Sequence, residues 1–81
     1  MQSAKLNGDR LRALREDNEL TTTELAALVS VQMGRRVHQS TITKYEMGRR
    51  QPSPKMFGSI CRVLRCEKDT LLMRESEQET V

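Results

Sequence analysis

Apolar residues in this chain recur at spacings of three and four, and alternation of apolar with polar residues is never sustained. That pattern points to helices packed on helices, because a half-buried strand hides every second residue and a helix every third or fourth. Aromatic residues, which favour strands, are limited to Tyr45 and Phe57. A first helix is expected from about Asp9 to Asp17, with Leu11 and Leu14 as its buried stripe and Arg10, Arg12, Arg15 and Glu16 on other faces. Asn18 and Glu19 connect it to Leu20. Thr21-Thr22-Thr23-Glu24 opens a second helix, since a threonine can cap free amides and an early glutamate complements the dipole. Leu25, Ala26, Leu28 and Val29 supply its apolar face, and Gly34 can end it after Met33.

The segment from Gln39 to Pro52 reads as a short exposed helix with a defined end. Only Ile42 and Tyr45 are strongly apolar, three apart, so one narrow edge is buried while Gln39, Ser40, Thr43 and Lys44 stay outward. Those side chains suit base edges and phosphates. Gly48 is placed as a left-handed stop, and Pro52 keeps the helix from resuming. A fourth helix follows Gln51-Pro52-Ser53-Pro54, with Phe57, Ile60, Cys61 and Leu64 at helical spacing, and a short fifth runs from Glu67 to about Met73. The expected organisation is a flexible N-terminus over residues 1–7, a helical domain over 8–73 and a flexible acidic tail over 74–81.

A chain of 81 residues forms one small domain with little room for a substrate cleft, which disfavours an enzyme. Its net charge of +3 is unevenly spread. Between Gln32 and Lys55, the six cations Arg35, Arg36, Lys44, Arg49, Arg50 and Lys55 outweigh the single acid Glu46 by five, which leaves the rest of the chain at −2. Positive charge gathered on one element is the footprint of a surface that meets phosphate, although a solvated basic loop has the same composition. Cys61 and Cys66 stand without a wider cysteine framework, which argues for reduced thiols in a cytoplasmic protein. No apolar run approaches the roughly 20 residues that span a bilayer, and Met1 to Gly8 holds no signal-like apolar stretch, so a soluble protein is expected.

Taken in order, Leu20-Thr21-Thr22-Thr23-Glu24-Leu25-Ala26 and Ser40-Thr41-Ile42-Thr43-Lys44-Tyr45-Glu46-Met47-Gly48-Arg49-Arg50-Gln51-Pro52-Ser53 resemble the phage repressor and Cro type of helix-turn-helix protein, the XRE-like family. Arg10 to Glu16 is similar to that family's first helix, and Ile60 to Leu72 to its last two. The resemblance implies an all-α, five-helix domain of the lambda-repressor type that binds double-stranded DNA. In such a protein the second helix lies across the DNA backbone and the third enters the major groove. It implies that Thr22 meets a phosphate, that Gln39, Ser40, Thr43 and Lys44 read base edges, that Thr41 and Tyr45 touch backbone or pack, and that Arg49 and Arg50 hold phosphates. It also implies an ion pair between Arg15 and Glu46, since a lone carboxylate beside DNA would otherwise repel phosphate.

Three departures stand out. The turn between helices two and three is extended through Gln32-Met33-Gly34-Arg35-Arg36, His38 takes the place where serine or threonine commonly caps the reading helix, and Met47 replaces the usual asparagine. Arg35 and Arg36 add either a passive insertion or, as the favoured reading, an extra phosphate contact. One domain makes few base contacts, so a homodimer on a palindromic operator is expected, with Leu71, Leu72 and Met73 as candidate contacts. The expected role is a repressor or Cro-like regulator in a bacterial cell or phage-infected host. A restriction-modification controller and an antitoxin-like or adaptor module are the alternatives. Neither a cofactor nor a small-molecule ligand is evident. Zinc is disfavoured because His38, Cys61 and Cys66 fall short of four ligands. The two cysteines read as core residues, or as a redox pair if Arg62 and Arg65 act on an exposed sulfur.

Overall fold

A computed structural model of the chain describes residues 5–73. Five helices follow one another: α1 (Gly8–Asp17), α2 (Thr22–Met33), α3 (Gln39–Glu46), α4 (Pro54–Leu64) and α5 (Lys68–Leu71). Local chemistry sets most of the boundaries. The Asn7 side chain accepts from the amides of Asp9 and Arg10 to start α1. At α2, Thr21 and Glu24 form a reciprocal capping box, with the Glu24 amide donating to Thr21 Oγ1 at 3.0 Å and the Thr21 amide to Glu24 Oε1 at 2.8 Å. Ser53 caps α4 ahead of Pro54, whose missing amide proton costs nothing in a first turn. Gly34 and Gly48 take left-handed conformations at φ +71 and +73, ending α2 and α3 where the glycines stand. Glu19 and Arg65 do the same work after α1 and α4 without being glycine. No sequence signal marks them, and helix α5 is shorter at both ends than the spacing of its apolar residues implies.

One core holds these elements together. Leu11 of α1, Leu25 and Val29 of α2, Ile42 of α3, Ile60 of α4 and Leu71 of α5 are all fully buried. Each contributes about 1.5–3 kcal/mol relative to an exposed side chain. Helix α2 is central and packs against both α3 and α4, while α1 closes over α3 and α5.

The N-terminal segment differs from expectation. Lys5 to Asn7 was expected within a flexible end, yet Leu6 is 1% exposed and pairs with Leu72 in an isolated antiparallel bridge. The Leu6 amide donates to Gln51 Oε1, the Asn7 amide to the Leu71 carbonyl, and the Met73 amide to the Lys5 carbonyl. Burial of Leu6 over the end of the core is the physical reason: the segment gains more from covering Leu71 and its neighbours than it loses in chain freedom. The acidic tail and residues 1–4 lie outside the described residues.

Gly8 marks the closest approach of two helices. A Cβ added there would lie 2.7 Å from the Tyr45 carbonyl oxygen and nearer still to that of Glu46, so α1 begins against the end of α3 only because no side chain intervenes. Both obstacles are backbone and cannot swing aside. Gly8→Ala is therefore expected to destabilise the domain by about 1–3 kcal/mol despite alanine's better helix propensity, as overpacking does. Urea unfolding of the two proteins checks this, and a stabilised variant would refute it.

Candidate nucleic-acid interface

Helix α3 is eight residues long, about 12 Å, and is buried along one edge only. Ile42 and Tyr45 face the core. At 3.6 residues per turn, Gln39, Ser40, Thr43 and Lys44 fall on the opposite face, and the structure brings these four together on one surface. Lys44 is exposed, whereas Gln39, Ser40 and Thr43 are half-buried by their own hydrogen bonds.

Those bonds define what each side chain can still offer. The Thr22 hydroxyl donates to Gln39 Oε1 at 3.1 Å, so the first residue of α2 fixes the amide of the first residue of α3. The Gln39 NH2 group and a second lone pair on Oε1 remain, which is the donor and acceptor pair that adenine matches. The Thr43 hydroxyl donates to the Gln39 carbonyl at 3.2 Å, leaving an acceptor lone pair and a methyl group. His38 does cap α3: its Nδ1 accepts from the Ser40 amide at 3.1 Å and lies 2.9 Å from Ser40 Oγ. An imidazole that accepts at Nδ1 carries its proton on Nε2, which adds a donor beside the reading face that sequence patterns of serine and threonine caps do not reveal.

The extended turn is a fixed strap. Val37 is buried, its amide donates to Ser30 Oγ at 2.8 Å, and that hydroxyl donates to the Ala26 carbonyl at 2.7 Å. The chain thus leaves α2 at Gly34 and returns along it to reach Gln39 beside Thr22. Arg36, on the returning limb, lines a cleft with Thr23, His38 and Gln39. Arg35 sits at the opposite end of α2, about 18 Å from Thr22 along a twelve-residue helix. Its charge, with that of Arg50, acts on the Tyr45 hydroxyl, though burial dominates and raises that phenol's pKa. Arg49 and Arg50 are exposed just past Gly48, and the Arg49 amide closes the end of α3 on the Lys44 carbonyl at 2.9 Å.

Arg15 and Glu46 form the expected pair. Arg15 Nε donates to Glu46 Oε2 at 2.6 Å and Nη2 donates to Oε1 at 3.1 Å, a bidentate fork with both side chains about nine-tenths buried. Arg15 Nη1 also donates to the Leu20 carbonyl at 2.8 Å, so one guanidinium ties α1, the α1–α2 link and α3. The hydrogen bond from Glu46 holds the Arg15 pKa above its ordinary value, against the lowering effect of burial.

One expectation needs correction. Leu71 was a candidate dimer contact, but it is 0% exposed and spent on the core. Leu72 is partly buried and lines an apolar cavity of about 430 Å³ with Pro52, Pro54 and Phe57, flanked by Lys5 and Lys68. The cysteines follow their core reading, with Cys61 buried in the core and Cys66 partly buried against it. Burial pushes the Cys61 thiol up to about 11 and raises Cys66 as well. Arg62 and Arg65 do not overcome that burial, so both groups stay protonated near neutral pH. Among the described residues, no three His, Cys, Asp or Glu side chains gather as a metal site requires, and no helix is long and apolar enough to cross a membrane.

A capped α2, a connecting strap and an outward-facing α3 make up a helix-turn-helix unit, and a model of the helix-turn-helix domain matches residues 8–72. The chain belongs to that family. Among solved structures it is similar to the P22 c2 repressor in complex with a synthetic operator, at 24% identity and TM-score 0.70, covering 83% of this chain and 94% of that one. The clp gene regulator ClgR from Corynebacterium glutamicum is 28% identical with TM-score 0.67, over 78% of this chain and 62% of its own. The restriction-modification controller protein C.AhdI from Aeromonas hydrophila is 24% identical with TM-score 0.61, over 78% and 86%. No curated protein matches the chain.

Proposed function

We propose that the protein is a sequence-specific regulator of transcription that reads the major groove of double-stranded DNA with α3. The observation that carries this reading is the Thr22 to Gln39 hydrogen bond, which joins the start of α2 to the start of the exposed polar helix. In that position Thr22 and the free amides of α2 meet a phosphate while Gln39, Ser40, Thr43 and Lys44 meet base edges. His38 Nε2 adds a donor next to them. Arg49 and Arg50 hold the phosphates at the other end of α3. In the extended turn the geometry favours Arg36 over Arg35 as a further phosphate contact, because Arg36 lies on the Gln39 side of the strap.

A homodimer on a palindromic operator is the arrangement that such a small reading surface favours. The protomer measures 38 × 26 × 22 Å, so two side by side can set their reading helices about 34 Å apart, one turn of DNA. The apolar cavity of Pro52, Pro54, Phe57 and Leu72 is the surface proposed for that contact, in place of Leu71. Binding over a promoter would then exclude polymerase.

Selection from a random duplex library tests this function, and a palindromic winner is expected. Replacing Arg49 and Arg50 by alanine should weaken binding to the winner and to scrambled DNA alike. The slope of log affinity against log salt should fall by about 0.9 for each phosphate no longer neutralised. Equal slopes would reject their phosphate role, and equal affinity of the unaltered protein for winner and scrambled DNA would reject sequence-specific reading.

A further inference from the structure

The cavity walled by Pro52, Pro54, Phe57 and Leu72 has a rim of one chemical kind. Its polar lining is Lys5, Lys68 and Gln51, and no acidic side chain lines it. Gln51 Oε1 accepts from the Leu6 amide at 2.8 Å, which orients the side chain and leaves its NH2 group to donate. Among the described residues, neither lysine is held in an ion pair. The mouth therefore offers donors, two of them cationic, above an apolar floor. Phe57 is 6% exposed and packs in the core, so that floor is a rigid part of the fold.

We infer that this cavity binds a small carboxylate with an apolar body, and that such a ligand competes with the second copy proposed for the same surface. Its volume of about 430 Å³ lies within the ~300–1,000 Å³ of small-molecule sites, which are mostly apolar with a few polar groups that set orientation. Burial of the body supplies the affinity. The rim selects the head group. A cationic head would meet like charge at Lys5 and Lys68, and a neutral donor would compete for the Gln51 oxygen with the Leu6 amide, whereas a carboxylate accepts from all three side chains. A second copy covers the apolar floor but brings two cationic rims together across the two-fold axis, which keeps that contact weak enough for a small ligand to displace.

No sequence motif announces the site. Its residues come from position 5, positions 51–57 and positions 68–72, joined only when the N-terminal segment pairs with the chain at Leu72. Ligand binding stands apart from DNA reading. The competition rests on the proposed dimer, and the two are measured separately.

Titration of the full chain with octanoate, followed by amide shifts, measures binding without DNA. Shifts of Phe57, Lys68 and Leu72 should saturate with a dissociation constant of about 0.1–1 mM, in the range for so small a ligand. Octanol should bind about tenfold more weakly, octylamine more weakly still, and acetate, which has the head without the body, should not bind. Replacing Lys5 and Lys68 together by glutamine keeps the apolar walls and should bring octanoate down to the level of octanol. Pro54→Glu, in a first helical turn that tolerates an acid, should abolish octanoate binding. Equal binding of octanoate and octylamine, or shifts that follow protein concentration but not octanoate, would overturn the site. The second readout adds DNA: saturating octanoate should lower affinity for a palindrome recovered by library selection by about fivefold or more and leave a half-site duplex unaffected. Octanoate that binds while the palindrome keeps its full affinity would overturn the competition. Equal affinity for palindrome and half-site before any octanoate is added would remove the dimer reading and the competition with it, while the site stands on the shifts.

Discussion

Arg15→Ala is expected to lower stability by about 3 kcal/mol, which for a domain of this size corresponds to roughly 12–24 °C in melting temperature. The bidentate fork to Glu46 is about nine-tenths buried on both sides, so the variant leaves a carboxylate with little water and no cation. The missing bond from Nη1 to the Leu20 carbonyl adds to the cost. Arg15→Lys should recover only part of the loss, because an ammonium cannot make the paired hydrogen bonds of a guanidinium. DNA affinity should fall as well, since Glu46 is the last residue of α3 and its unpaired charge would face phosphate. Replacing Arg15 and Glu46 together by leucine should be far milder than Arg15→Ala alone, because no buried charge is then stranded. Thermal melting and DNA titration of the three variants check this, and an Arg15→Ala protein that melts and binds normally would refute it.

Much of the architecture is legible in the chain because the signals are local. Thr21 with Glu24, Ser53 with Pro54, and the glycines at 34 and 48 each act within one helical turn, and the structure puts helix boundaries beside all of them. What escapes the sequence depends on contacts between distant residues. Leu6 has no periodic neighbours to announce it, and its partner Leu72 is at the other end of the chain. Leu71 and Leu72 are adjacent, so spacing alone cannot say which one turns inward; the Asn7 bond to the Leu71 carbonyl and the packing of α1 decide it. Gly8 resembles any residue of a helix start until α3 is laid against it. The polar face of α3 is readable from Ile42 and Tyr45, but the bonds that orient Gln39 and Ser40 come from Thr22 and His38, across a strap whose path depends on Ser30. The ion pair of Arg15 with Glu46 was expected from a family resemblance rather than from either residue's surroundings in the chain.

Replacing Gln39 and Lys44 together by alanine should abolish most discrimination between the selected operator and scrambled DNA. A bidentate glutamine contact and a lysine contact to guanine are each worth about 1–3 kcal/mol of preference, so the pair should lose a factor of roughly 30 to 25,000 if the two add. Binding to scrambled DNA should fall much less, by the share of one charge, because Arg49 and Arg50 still hold phosphate. The fold should not change, since Ile42 and Tyr45 carry the packing of α3 and neither substituted side chain belongs to the core. Gln39→Ala alone separates two roles of that residue. It removes the acceptor of the Thr22 hydroxyl, so any effect through orientation of α2 appears in non-specific binding as well, whereas a base-reading effect appears only on the operator. Titration of both DNAs at two salt concentrations measures these quantities together. A double variant that retains full operator preference would move the reading of sequence away from α3 and leave that helix a basic surface only.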